Sequence, residues 1–317
     1  MHRSLRLIAT GLGLLAAGAA SAAKMQPPSA VLGESTTSIA AVRYVEAGPA
    51  GRLVFRRIEK IEGGDEIPEL IDLSAPPQLA GLISPQDIYL IAYSRDGAQL
   101  IVAAGLEPAL WRDSPKAREL VRWKAGSDEA TQRERVPELM ALFDAADPQF
   151  QNFASAEIVL RPSMAKHLDA MQRERLRAFA RGQGGNVTAR ARLLEAASRK
   201  MAGFGDPEWR EIAQHVLAGT SPRVQQADGY ANLVRCAFAI LDNDRDVIAP
   251  GVLERWIASD DTSLAEAALL ALRREAPAHE LTALDAALSL SLLPAGTREF
   301  LLEHRRRLVA SQQQAGR

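Results

Sequence analysis

Asp87-Ile88-Tyr89-Leu90-Ile91-Ala92-Tyr93-Ser94-Arg95-Asp96-Gly97-Ala98-Gln99-Leu100-Ile101-Val102-Ala103 decides how the first third of this chain folds. Two apolar runs flank an Asp-Gly pair, the strongest local signal for a β-hairpin, because these two residues accept the backbone angles of a tight turn. Neither run alternates with polar residues. The strands Ile88 to Tyr93 and Leu100 to Ala104 are therefore expected to be central, covered on both faces.

Upstream, the same grammar recurs. Ser38 to Glu46 reads as a strand closed by Gly48-Pro49-Ala50-Gly51. Arg52 to Glu62 is closed by Gly63-Gly64-Asp65, and Ile67 to Leu73 runs into Pro76-Pro77. Five strands in about 70 residues predict a small barrel or sandwich over residues 36–108. The arrangement resembles small OB-like or netrin-like barrels in topology. OB-like barrels often bind oligonucleotides or sugars, yet this stretch lacks a dense basic and aromatic face, so fold analogy does not carry function. Residues 23–35 read as a flexible leader.

After Trp111 the pattern becomes helical. Asp147-Pro148, Asp206-Pro207 and Ser221-Pro222 have the form of an N-cap followed by a proline at the first helical position. Trp209, Ile212, Ala213, Val216 and Leu217 recur with the spacing of one helical face, as do Tyr230, Val234, Phe238 and Leu241. Pro250, Pro277 and Pro294 mark further starts. The intervals Pro207 to Pro250 and Pro250 to Pro294 are 43 and 44 residues. Both fall in the HEAT and armadillo range of about 40–47. Asp147 to Ala154 and Ser259 to Ala268 resemble HEAT-like helix starts, an acidic turn followed by a small-residue stripe. The resemblance covers Pro137 to Val309 and implies stacked helix pairs there, within a helical domain over residues 109–312. The 59 residues from Pro148 to Pro207 break the period, and an irregular helical domain is the competing arrangement.

Residues 1–22 carry a cationic start, an apolar stretch from Leu7 to Ala20 and Ala20-Ser21-Ala22, the order of a cleaved secretory signal. The apolar stretch is shorter than the roughly 20 residues that a membrane span needs. The mature chain is expected in a periplasm or outside the cell, with no transmembrane segment. Arg heavily outnumbers Lys among the 38 basic residues, and Ala is abundant, which suggests a GC-rich bacterial gene. The formal net charge of −1 gives no global pull towards nucleic acid, which is not expected as a partner. Cys236 stands alone, so no intramolecular disulfide forms; its helical neighbours mark it as a small core residue.

Catalytic chemistry finds no purchase in the sequence. There is no Gly-x-Ser-x-Gly elbow and no phosphate loop, and no His has a partner at metal-ligand spacing. Asp242-Asn243-Asp244-Arg245-Asp246 begins like a calcium loop, then fails at Val247 and Leu253. Gly182-Gln183-Gly184-Gly185 follows a helix and reads as its stop. No catalytic residue, metal or cofactor is assigned.

One segment stands out. Between Arg161 and Lys200 lie ten basic residues against three acidic ones. Arg173, Arg177 and Arg181 are spaced as a helical stripe opposite Leu176, Phe179 and Ala180. With Arg190 they are the candidate residues for an anionic envelope component or an acidic partner; a solvated helix face is the plain alternative. The resulting expectation is an α+β protein: a small β-barrel or sandwich followed by an all-α, HEAT-like array. Its expected function is that of an exported, non-catalytic scaffold presenting a helical surface to a protein partner in the cell envelope. An envelope hydrolase with an interdomain site and an anion binder acting through the Arg161–Lys200 region are the alternatives.

Overall fold

The computed structural model describes residues 26–48, 52–63, 67–74, 83–96, 99–102, 109–123, 128–226 and 229–315. The expected signal and the Gly97 turn lie outside these residues. Five strands form where the alternation of apolar runs and turn residues predicts them: β1 (Ser38–Ala47), β2 (Arg52–Glu62), β3 (Leu70–Ser74), β4 (Ile88–Asp96) and β5 (Gln99–Val102). They close in the order β1-β2-β3-β5-β4 and back to β1, a five-stranded barrel. The β3–β5 pair is parallel and every other pair is antiparallel. Asp96 stands opposite Gln99, as the hairpin reading requires. A sixth strand, β6 (Leu110–Arg112), adds to β4. Its three residues are too few to show a period in sequence.

Because successive side chains on a strand point to opposite faces, β1, β4 and β6 serve two cores at once. Ala40, Val42, Tyr89, Ile91, Tyr93 and Leu110 fill the barrel with Phe55, Ile71 and Leu73. Ile39, Ala41, Leu90, Ala92 and Trp111 face outward and join one continuous core with the helices. That double coverage is why β4 reads as an unbroken apolar run. Leu100 and Ile101 of β5 are only half-buried. The expectation of full coverage fails there because the strands that lean on the helices are β1, β4 and β6.

The rest is helical, so the class is mixed α+β. In chain order the helices are α1 (Pro28–Leu32), α2 (Pro115–Val121), α3 (Glu129–Leu142), α4 (Pro148–Leu160), α5 (Pro162–Lys166), α6 (Ala170–Arg181) and α7 (Val187–Ser198). They continue with α8 (Glu208–Gly219), α9 (Tyr230–Asp244), α10 (Pro250–Ile257), α11 (Thr262–Glu275), α12 (Glu280–Ser289) and α13 (Ala295–Ala315). Consecutive helices α3 and α4, α6 and α7, α8 and α9, α10 and α11, and α12 and α13 pack on one another. The second members also stack in sequence, α4 on α7, α7 on α9, α9 on α11 and α11 on α13. In α7, touched by α4, α6 and α9, eight of the twelve residues are buried.

Several local expectations are corrected. The supposed flexible leader carries α1, whose Val31 and Leu32 are buried in the helical core. Ser29 of α1 donates from its backbone N–H and its hydroxyl to the fully buried Glu157 carboxylate, at 3.0 and 2.6 Å. Arg161 completes the group, donating to Glu157 at 2.9 Å and to Ser29 Oγ at 2.9 Å. Asp147 caps α4 as read, accepting from Gln149 N–H. Asp206 does not cap α8; its carboxylate faces Arg177 instead. Ser221-Pro222 opens a 3-10 turn (Val224–Gln226), and α9 begins only at Tyr230. The proline spacing is out of phase, because Pro207 and Pro250 precede first helices of a pair whereas Pro294 precedes a second helix.

Candidate functional site

A pocket of about 380 Å³ opens where the C-terminal end of α6, the first turn of α7, the end of α8 and the loop into α9 meet. Its lining includes Arg181, Arg190, Arg223, His215, Gln183 and Tyr230. Thr220 and Ser221 add hydroxyls, Val216 and Val224 add apolar surface, and among the described residues no carboxylate lines it. Gly229, at φ +84°, allows α9 to start hard against α7, since a Cβ there would lie 2.8 Å from Val187 Cγ1.

Arg190 is the unusual member. It is only 3% exposed, and its Nε donates to Ala180 O at 3.0 Å. Among the described residues no carboxylate pairs with it. Burial pushes its proton affinity down, with Tyr230 acting weakly in the opposite sense, yet a guanidinium keeps its charge in a protein. A charge taken out of water without a counter-charge costs several kcal/mol, on the order of what a small domain has in total. Arg192, two residues on, shows the ordinary solution. Its Nη1 donates to Asn152 O at 2.9 Å and to Ser155 Oγ at 3.1 Å. Two arginines of one buried helix are thus treated differently, and the one that has no carboxylate or side-chain partner among the described residues lines a pocket.

The loop carrying Arg223 and Val224 is fixed from behind. The Asp260 carboxylate accepts from Val224 N–H at 2.8 Å, and the Ser259 hydroxyl donates to Pro222 O at 3.0 Å. Both Asp260 and Ser259 are buried.

Of the four residues singled out in the sequence, the structure brings Arg181 and Arg190 into this pocket and leaves out Arg173 and Arg177. Arg177 is engaged by Glu174, Asp206 and Glu208, at 2.9, 3.2 and 3.5 Å. Arg181 stands at the rim with Glu211 at 3.8 Å. Arg177, and at longer range Arg181, therefore face carboxylates, and Arg190 is buried in α7. Arg223, His215, Gln183, Thr220, Ser221 and Tyr230 escaped the sequence reading because they come from separate elements. One signal was present: Arg190 sits in Ala189-Arg190-Ala191-Arg192-Leu193-Leu194, where an all-round apolar helix is interrupted by charge.

The calcium-like acidic run is otherwise occupied: Asp242 pairs with Arg274, Asp244 with Lys200 at 2.6 Å, and Asp246 with Arg210 at 3.4 Å. Cys236 is buried in α9, and burial first of all raises its thiol to about 11. No family model, curated protein or solved structure matches the chain.

Proposed function

We propose that this chain is an exported, non-catalytic binding protein that takes an anionic ligand in the Arg190 pocket. The observation that carries the reading is a nearly fully buried guanidinium, with no carboxylate partner among the described residues, lining a cationic cavity. An anion entering there supplies the missing counter-charge, and charge-assisted hydrogen bonds are the strongest class available to a protein. Export rests on the residue 1–22 pattern, and N-terminal sequencing of the native protein tests it: a chain beginning near Ala23 supports export, and one beginning at Met1 counts against it. Titration calorimetry of the mature protein with small anions tests the pocket; heat that Arg190→Met abolishes supports it.

A second reading, the scaffold with a protein partner, is favoured by a groove of about 350 Å³ between α9 and α11. Phe238, Ile248, Leu264 and Leu270 line it, and Leu270 is 51% exposed. The HEAT-like interpretation of the helical half is supported by its paired and stacked helices, and the OB-like one of the barrel by its five-stranded closure. Pull-down from envelope extract with the tagged chain, compared with Leu270→Glu, tests the scaffold. A hydrolase with an interdomain site has less support, because Ile39, Leu90 and Trp111 fill the barrel–helix seam with buried apolar groups.

A further inference from the structure

We infer that the pocket receives a phosphomonoester group, a dianion joined to a small polar organic part, with the phosphate seated over Arg190. This deepens the anion-pocket reading and rests on it.

Charge is the first argument. Three guanidinium groups, from Arg181, Arg190 and Arg223, line the cavity. Among the described residues the one carboxylate paired with any of them is Glu211, 3.8 Å from Arg181 at the exposed rim. A single negative charge leaves the cavity strongly positive, whereas a phosphomonoester brings nearly two at neutral pH. Geometry is the second. The three arginines come from three separate elements: the end of α6, the first turn of α7 and the loop before α9. A planar carboxylate offers two oxygens in one plane, which suits one arginine fork; a phosphate offers three terminal oxygens in three directions, which suits donors converging from different sides. Size is the third. About 380 Å³ lies within the range of small-molecule sites and far exceeds a bare ion. The remaining lining suits the organic part. Gln183, Thr220 and Ser221 present hydroxyl and amide groups near the rim, while Val216, Val224 and Tyr230 offer apolar wall. A soluble sugar phosphate and the phosphomonoester headgroup of a lipid share this chemistry.

The test is titration calorimetry of the mature protein at about 0.15 M salt with glucose 6-phosphate, inorganic phosphate, sulfate and glucuronate. Co-sedimentation with phosphatidylcholine vesicles, with and without phosphatidic acid, runs alongside. Glucose 6-phosphate binding at least tenfold tighter than inorganic phosphate, sulfate and glucuronate supports the proposal and assigns a soluble source. Capture only by vesicles containing phosphatidic acid, lost in Arg190→Met, supports it and assigns a lipid headgroup. In both cases Arg190→Met weakens binding at least thirtyfold, and Arg173→Ala, outside the pocket, leaves it unchanged. Circular dichroism confirms that each variant is folded. Should Arg190→Met not fold, Arg223→Gln replaces it, with a loss of at least fivefold expected. Glucuronate, sulfate or inorganic phosphate binding as well as the ester overturns the phosphomonoester assignment and leaves an anion pocket standing. Absence of binding by every probe in both formats overturns the anion pocket together with it.

Discussion

Ser29 and Glu157 are 128 residues apart in the chain, and the Ser29 hydroxyl lies 2.6 Å from the Glu157 carboxylate. The carboxylate is shut off from solvent and held by Ser29 and Arg161 together. The segment that follows the expected signal is thereby part of the folded body. Replacing Glu157 by Ala leaves the Arg161 charge facing Ser29 without its counterpart and is expected to cost about 3–5 kcal/mol. Ser29→Ala, which removes one donor, is expected to cost about 1–3 kcal/mol. Urea denaturation measures both, and a Glu157→Ala variant within about 1 kcal/mol of the parent would show that α1 is not tied down here.

Arg190 and stability are expected to oppose one another. Arg190→Met keeps much of the apolar stem and removes a buried charge at the expense of one hydrogen bond to Ala180 O. In the absence of ligand the variant is expected to be as stable as the parent to within about 1 kcal/mol, or more stable. Thermal melts in phosphate-free buffer check this. A large drop in melting temperature would identify the guanidinium as structural.

Asp260 acts on the pocket from outside it. Asp260→Ala frees the N–H groups of Val224 and Gln225, and the loop that carries Arg223 loses an anchor. Anion affinity is expected to fall about tenfold, equivalent to about 1.4 kcal/mol, and stability by about 1–3 kcal/mol, because the buried Val224 N–H is left without an acceptor. Calorimetric titration beside a thermal melt measures the two effects separately.

Asp261 links stability to acid. Burial alone would raise its carboxyl, but hydrogen bonds from Ser263 and Leu264 N–H and the charge of Arg235 outweigh it, and the net shift is downward. A depressed carboxylate contributes its full stability above the unfolded value near 3.8 and loses it as pH falls through the folded value. Asp261→Ala, which removes the cap of α11, is expected to cost about 1–2 kcal/mol at about pH 7 and progressively less below about pH 4. Urea midpoints at the two pH values report the convergence; a constant gap would rule out the linkage.

Cys236 is expected to be inert while the chain is folded. Its thiol is raised from 9.0 to about 11, so at mildly alkaline pH the reactive thiolate is about a hundredfold scarcer than in the unfolded chain. Thiol titration with and without urea measures the combined effect of this shift and of burial.

Local signals in the sequence carried the strands well. β2 spans the same residues as the strand read from the sequence, Arg52 to Glu62, and Asp147 caps α4 because a short acidic side chain before proline can accept from the first free N–H groups of the helix. Length was the limit at β6, where Leu110-Trp111-Arg112 offers no period. Phase was the limit in the helices, because Pro294 begins a second helix of a pair and proline marks a start without saying which. The pocket was half legible. Arg181 and Arg190 stood out as charge, but Arg223, His215 and Tyr230 meet them only through packing, and nothing short-range in the sequence encodes that meeting.

The wall shared by the barrel and the helices has a consequence for how the molecule comes apart. Ile39, Leu90 and Trp111 belong as much to one half as to the other. A chain divided after residue 108 would leave β4 without β6 and wet the outer face of Ile39 and Leu90. It would also strip Trp111 of the sheet beneath it. Neither fragment inherits a finished surface, so heat or urea is expected to melt the barrel and its neighbouring helices as one cooperative block.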